Sequence, residues 1–110
     1  MMAKNYVGEG EILDVNTGGT AVVGGTVVVM GKRIGVALRD IAANSNGVAA
    51  VEGVFNLAKL AGDAVAQGDL LYWDAANARL TVTAAGNTLA GYATGAAAAG
   101  VTTVNVKINA

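Results

Sequence analysis

Apolar and polar residues alternate with a period of two along much of the chain. In the closing segment Val104, Val106 and Ile108 fall on one side, and Thr103, Asn105, Lys107 and Asn109 on the other. Successive side chains of a strand point to opposite faces, so this alternation predicts a half-buried β-strand. Ile34, Val36 and Leu38 alternate in the same way with Arg33, Gly35, Ala37 and Arg39. Leu80 and Val82 alternate with Arg79, Thr81 and Thr83, and Phe55 and Leu57 with Val54, Asn56 and Ala58. The run Val27 to Met30 is apolar throughout and mostly β-branched, which predicts a strand buried on both faces.

Turn formers stand between these runs: Gly18-Gly19, Gly24-Gly25, Gly31-Lys32, Asn44-Ser45-Asn46-Gly47, Gly62-Asp63, Gly68-Asp69, Asn77 and Gly86-Asn87. Many short strands with turns roughly 8–12 residues apart predict an all-β barrel or sandwich. Helix has little room. Ala96 to Ala99 is bracketed by Gly95 and Gly100, which allows one turn at most, and Ala42-Ala43 is ambiguous. Residues 1–10 are polar, carry Gly8 and Gly10, and predict a flexible arm ahead of a β-rich body spanning 11–110. A plain first strand with a frayed tip is the competing reading.

An internal echo is present. Gly35-Val36-Ala37, Ala42-Ala43, Gly47-Val48 and Val51 are followed by Gly91-Tyr92-Ala93, Ala96 to Ala99, Gly100-Val101 and Val104. Two similar strand–loop–strand units in a pseudo-symmetric barrel would produce it, and so would low sequence complexity.

Composition narrows the function more than the fold. A chain of 110 residues suits one domain. The apolar fraction is 54% but aromatics are only 5%, so the core is built from Ala and Val around sixteen Gly. Self-association is a common route to stability for such a domain. Absence of Cys excludes disulfides and thiolate metal sites. Absence of His removes the usual general base near neutral pH. A net charge of −1 with no basic run gives nucleic-acid binding little electrostatic support. The longest apolar stretch, Ala21 to Gly31, is interrupted by Gly24, Gly25 and Thr26 and falls short of the ~20 residues that span a bilayer. Met1 to Tyr6 hold no apolar signal segment, so the chain is expected to remain, at least at first, in the cytoplasm where it is made.

Catalytic motifs fail on inspection. Gly31-Lys32-Arg33 lacks the Ser/Thr of a phosphate loop and joins two predicted strands, which makes it a hairpin turn. Gly8-Glu9-Gly10 is followed by Leu13 where a dinucleotide fingerprint needs a third Gly. Asp63, Asp69 and Asp74 lie close together beside Tyr72 and Trp73, but Asp63 and Asp69 each follow a Gly, as turn residues do. Asp74 with Asn77 has no EF-hand spacing. No cofactor and no metal are expected. By alternation Leu71 and Trp73 share a face opposite Leu70, Tyr72 and Asp74. One of Tyr72 and Trp73 is then a core residue and the other a candidate anchor between subunits, or both are core.

Two stretches carry a family resemblance: Ala3-Lys4-Asn5-Tyr6-Val7 with Gly10 and the strand Glu11 to Val15, and Ala66-Gln67-Gly68-Asp69-Leu70-Leu71-Tyr72-Trp73-Asp74. Between and after them stand Gly35-Val36-Ala37, Glu52-Gly53-Val54-Phe55, Gly86-Asn87-Thr88, Gly91-Tyr92-Ala93 and Thr102 to Lys107. In this order they resemble the small tailed-phage and prophage proteins catalogued as domain-of-unknown-function 2190, which are capsid decoration, or cement, proteins. The resemblance implies a single-domain β-barrel of the β-tulip kind. It implies a homotrimer on the outside of the virion head, bound to the major capsid protein and holding the expanded shell together, with neither nucleic acid nor membrane as partner. In that role the arm would reach the capsid through Lys4, Asn5, Tyr6 and Val7, with Ile12 just beyond, and Tyr72 and Trp73 are the oligomer-contact candidates. A small β-barrel binding a peptide, glycan or host-surface ligand is the alternative, and a carboxylate enzyme a third reading.

Overall fold

The computed structural model describes residues 10–110. It is all-β, and no helix occurs among the described residues. The strands are β1 (Ile12–Asn16), β2 (Val27–Met30), β3 (Arg33–Ala37), β4 (Asn46–Ala50), β5 (Val54–Ala58), β6 (Leu70–Asp74), β7 (Arg79–Thr81), β8 (Thr88–Ala93) and β9 (Thr103–Ile108). They form two sheets, ordered β1-β4-β3-β2 and β5-β9-β8-β6-β7, with antiparallel pairing throughout. The second sheet curls until β7 reaches the end of β5, where Lys59 and Leu80 form a parallel bridge and the Leu60 amide donates to the Leu80 carbonyl at 2.8 Å.

The closing strand is as its alternation predicts: Val104, Val106 and Ile108 are buried and their neighbours exposed. The glycine and asparagine turn signals lie in connections between strands, except that Asn46 and Gly47, expected in a turn, open β4 and pair with Asn16 and Val15. Ala96 to Ala99 contains no helical turn. Ala97 instead pairs with Val65 in an isolated bridge, because two short backbone bonds to a passing segment satisfy this small-residue loop better than a helix bracketed by glycines.

Three burial expectations change. Val27–Met30 is only half-buried: Val27 packs on the larger core and Val28 and Met30 on the smaller, but β2 is an edge strand and Val29 is exposed. The strand covered on both faces is β3, where Ile34 and Val36 enter the larger core while Gly35 and Ala37 are buried against the other side. Leu38 and Val82, expected on the inward faces of their strands, are exposed, since β3 ends at Ala37 and β7 at Thr81. An apolar run reports that a segment can be buried, not how many neighbours it meets.

The internal echo is a structural repeat. Strands β1, β2, β3 and β4 correspond to β5, β6, β8 and β9, and each set has the same strand order. The registers also correspond. Val27 opposite Val36 matches Leu70 opposite Tyr92, and Ile12 opposite Ala50 matches Val54 opposite Lys107. The bridge Val22–Ile41 matches Val65–Ala97. The Gly25 amide donates to the Ala37 carbonyl at 2.7 Å, and the Gly68 amide to the Ala93 carbonyl at 2.8 Å. Gly25 and Gly68 share a left-handed backbone, with φ of 88° and 91°. The pairing of Gly47 with Gly100 in the sequence echo is out of step. Gly100 corresponds to Asn44, also left-handed, and Gly47 to Val104.

The two repeats meet through equivalent strands, β3 and β8. Asn109, just past β9, ties them together. Its Nδ2 donates to the carbonyls of Ile34 at 2.7 Å and Val51 at 2.8 Å, and its Oδ1 accepts from the Ile34 amide. Its own amide donates to the Ala90 carbonyl at 2.7 Å. The two repeats fill equivalent core positions differently. In the first, Gly47 and Ala49 leave room for Ile41, and a Cβ on Gly47 would lie 2.5 Å from Ile41 Cδ1. In the second, Val104 and Val106 take the space and the loop contributes only Ala97. The space is thus filled mainly from the loop in the first repeat and mainly from the strand in the second.

Candidate interaction surfaces

The chemistry considered from sequence does not assemble. Asp63 Oδ2 accepts from Thr81 Oγ1 at 2.8 Å and from the Val82 amide at 3.1 Å, fastening the end of β7. Asp69 Oδ2 accepts from the Ala66 amide at 2.9 Å and closes its own turn. Asp74 Oδ2 accepts from Asn77 Nδ2 at 2.8 Å, and this bond, above all, holds the exposed Asp74 carboxyl below its ordinary pKa. The three acids are thus separate turn residues. Among the described residues no group of three acidic side chains could hold a metal ion. Gly31-Lys32 forms the β2–β3 hairpin turn.

Lys59 is only 3% exposed, and its Nζ donates to the carbonyls of Leu60 and Asp63. Two carbonyl acceptors compensate part of the lost hydration of this buried ammonium. The effect is to fix the loop after β5 beside β7, so the residue is structural.

The aromatic pair divides. Trp73 is 7% exposed and belongs to the larger core beside Leu71 and Leu80. Tyr72, one position along β6, points the other way and lines a surface cleft with Lys32, Arg33 and Leu89. Ile12 is 53% exposed at the start of β1 and lines a shallow groove with Leu38 and Val48. Lys4, Asn5, Tyr6 and Val7 lie outside the described residues.

Sequence reasoning missed the two open edges of the first sheet, the outer sides of β1 and β2. No described residue pairs with either. Both carry apolar side chains in the open: Ile12 and Leu13 on β1, Val29 on β2. Neither strand contains Lys or Pro, the residues that commonly guard an edge. The composition of β2 was visible, but its position at an edge is a property of the assembled sheet.

The described residues thus present two apolar sheet edges rather than a cluster of acids. A family model for phage cement proteins matches residues 7–108, which covers nearly the whole chain. The chain belongs to the phage cement protein family. No curated protein and no solved structure matches it. Membership makes association with a phage capsid the coarse assignment and a structural role the expected one.

Proposed function

We propose that this chain decorates the outer surface of the expanded phage head, binds the major capsid protein as a homotrimer, and stabilises the shell without catalysis. The match to the cement family over residues 7–108 carries the reading. The body supports it, its loops tied together by short backbone bonds such as those between Val22 and Ile41 and between Val65 and Ala97. The arm, residues 1–10, is the segment assigned to the capsid, with Lys4, Asn5, Tyr6 and Val7 as contacts and Ile12 extending the surface onto β1. An extended segment of this kind adds to an exposed strand edge through backbone hydrogen bonds. Ordering it costs conformational entropy, which its few anchors, Tyr6 and Val7 foremost, must offset. Repeated contacts over a lattice then raise the effective strength. Tyr72, with its ring in an open cleft, is the proposed contact between subunits, while Trp73 supports it from the core.

Co-sedimentation with expanded, undecorated capsids of the cognate phage tests the reading. Saturable binding that raises the temperature of capsid disruption is expected, together with its loss on removal of residues 1–10. A protein that leaves such shells unbound and unstabilised is not a cement protein.

A further inference from the structure

In the second sheet the strands equivalent to β1 and β2 are joined. β7 pairs with β6 on one side and meets the end of β5 on the other. The first repeat has no counterpart of β7 among the described residues, and none of them pairs with either equivalent edge. We infer that these edges satisfy each other between molecules: β2 of one copy pairs antiparallel with β1 of the next, closing a ring of three.

Polarity, backbone phase and side chains agree on this. β1 and β2 run in opposite directions within their own sheet, so copies related by a rotation bring them together antiparallel. The Glu11 carbonyl accepts from the Val51 amide at 2.9 Å, so Glu11, Leu13 and Val15 bond inward to β4 and Ile12 and Asp14 present their backbone groups outward. The Thr26 carbonyl accepts from the Ala37 amide at 3.0 Å, which leaves Val27 and Val29 outward on β2. Placing Val29 opposite Ile12 aligns these outward groups and sets Val28 beside Leu13. The side chains then match by face: Ile12 and Val29 on the side of the larger core, Leu13 and Val28 on the other. Lys32, in the turn after β2, comes toward Glu11, a favourable pairing of charge. This register sets Asp14 against half-buried Val27 and Ile12 against exposed Val29, whereas a shift of two residues would set Asp14 against Val29 and leave Ile12 opposite Gly31. The contact is head-to-tail, using different edges of each copy, so it must close into a ring or run on as a filament. Closure at three rests on the homotrimer of the proposed function.

The chain has no Cys, so engineered thiols report cleanly. Opposed residues such as Leu13 and Val28 fall within the Cα separation a disulfide bridges. The double variant L13C/V28C, oxidised in solution without capsids, should convert to a covalent species of about three chains with nothing larger. L13C alone and V28C alone should remain single chains. Cross-linking of either single variant, a ladder beyond three, or no cross-linking of the double variant overturns the inference. As a second measurement, V29K should sediment as a monomer with an unchanged circular dichroism spectrum while the parent sediments as a trimer; a monomeric parent also overturns it. No capsid enters either assay. A cross-linked trimer that fails to bind shells would count against the cement role alone.

Discussion

At the scale of the residue, the repeat supplies its own controls. Gly47 exists because Ile41 occupies the space over it, and Val104 exists because Ala97 does not. Substituting Gly47→Ala should cost about 1–3 kcal/mol in urea denaturation, the usual price of overpacking. Gly47→Val combined with Ile41→Ala, the residue types the second repeat uses at Val104 and Ala97, should be more stable than Gly47→Ala. A double variant no more stable than Gly47→Ala would show that the two sites are not exchanging volume. Asn109 is chosen twice over. Its backbone has φ of 57°, a region that Asn tolerates better than most residues, and its amide joins the repeats through three hydrogen bonds. Asn109→Ala should destabilise by about 1–3 kcal/mol, because it strands partly buried backbone groups. Asn109→Gly should lose about 1 kcal/mol less, since it relieves the left-handed strain but not the lost bonds. Equal losses for the two would assign the whole effect to hydrogen bonding.

At the scale of the element, the difference between the repeats is β7. This three-residue strand places Leu80, fully buried, in the larger core and closes the second sheet against β5. Leu80→Ala should therefore cost about 2–5 kcal/mol by thermal or chemical unfolding, as other buried Leu truncations do. Val29→Ala on the open β2 edge should change the stability of the isolated monomer by less than about 0.5 kcal/mol. A small effect at Leu80 would mean that the second sheet closes without β7. Strand existence was well marked by alternation in β9 and β5. Strand ends were not: Leu38 and Val82 continue the pattern beyond the last paired residue, because periodicity describes side chains while pairing is decided by the neighbouring backbone.

At the scale of the molecule, a core in which Ala and Val outnumber Ile, Leu and Trp buries modest area per residue, and assembly is the natural supplement. If subunits associate, the folded state gains by mass action and unfolding depends on concentration. The parent protein's Tm should rise as its concentration is raised tenfold, and that of V29K should stay constant. A parent Tm independent of concentration would place the stability wholly within one chain. Removing residues 1–10 should leave this behaviour intact and abolish shell binding, which separates the arm's contribution from that of the body.

The sequence by itself determined that the chain is all-β, where most turns fall, that His and Cys chemistry is absent, and that the family signature runs the length of the body. Those properties are local: a period of two, a glycine at a turn and a missing residue type can each be read one segment at a time. It also held a trace of the repeat in Gly35-Val36-Ala37 and Gly91-Tyr92-Ala93, then lost the correspondence at Gly47, where Ile41 and Ala97 trade volume with residues distant along the chain. Only the tertiary structure decided that Val27–Met30 lies at an edge, that β3 is covered on both faces, that Trp73 is core while Tyr72 opens onto a cleft, and that the edges closed by β7 in one sheet have no partner among the described residues in the other. Each of those depends on which strands become neighbours, a choice made by long-range pairing and packing rather than by the residues of any one strand.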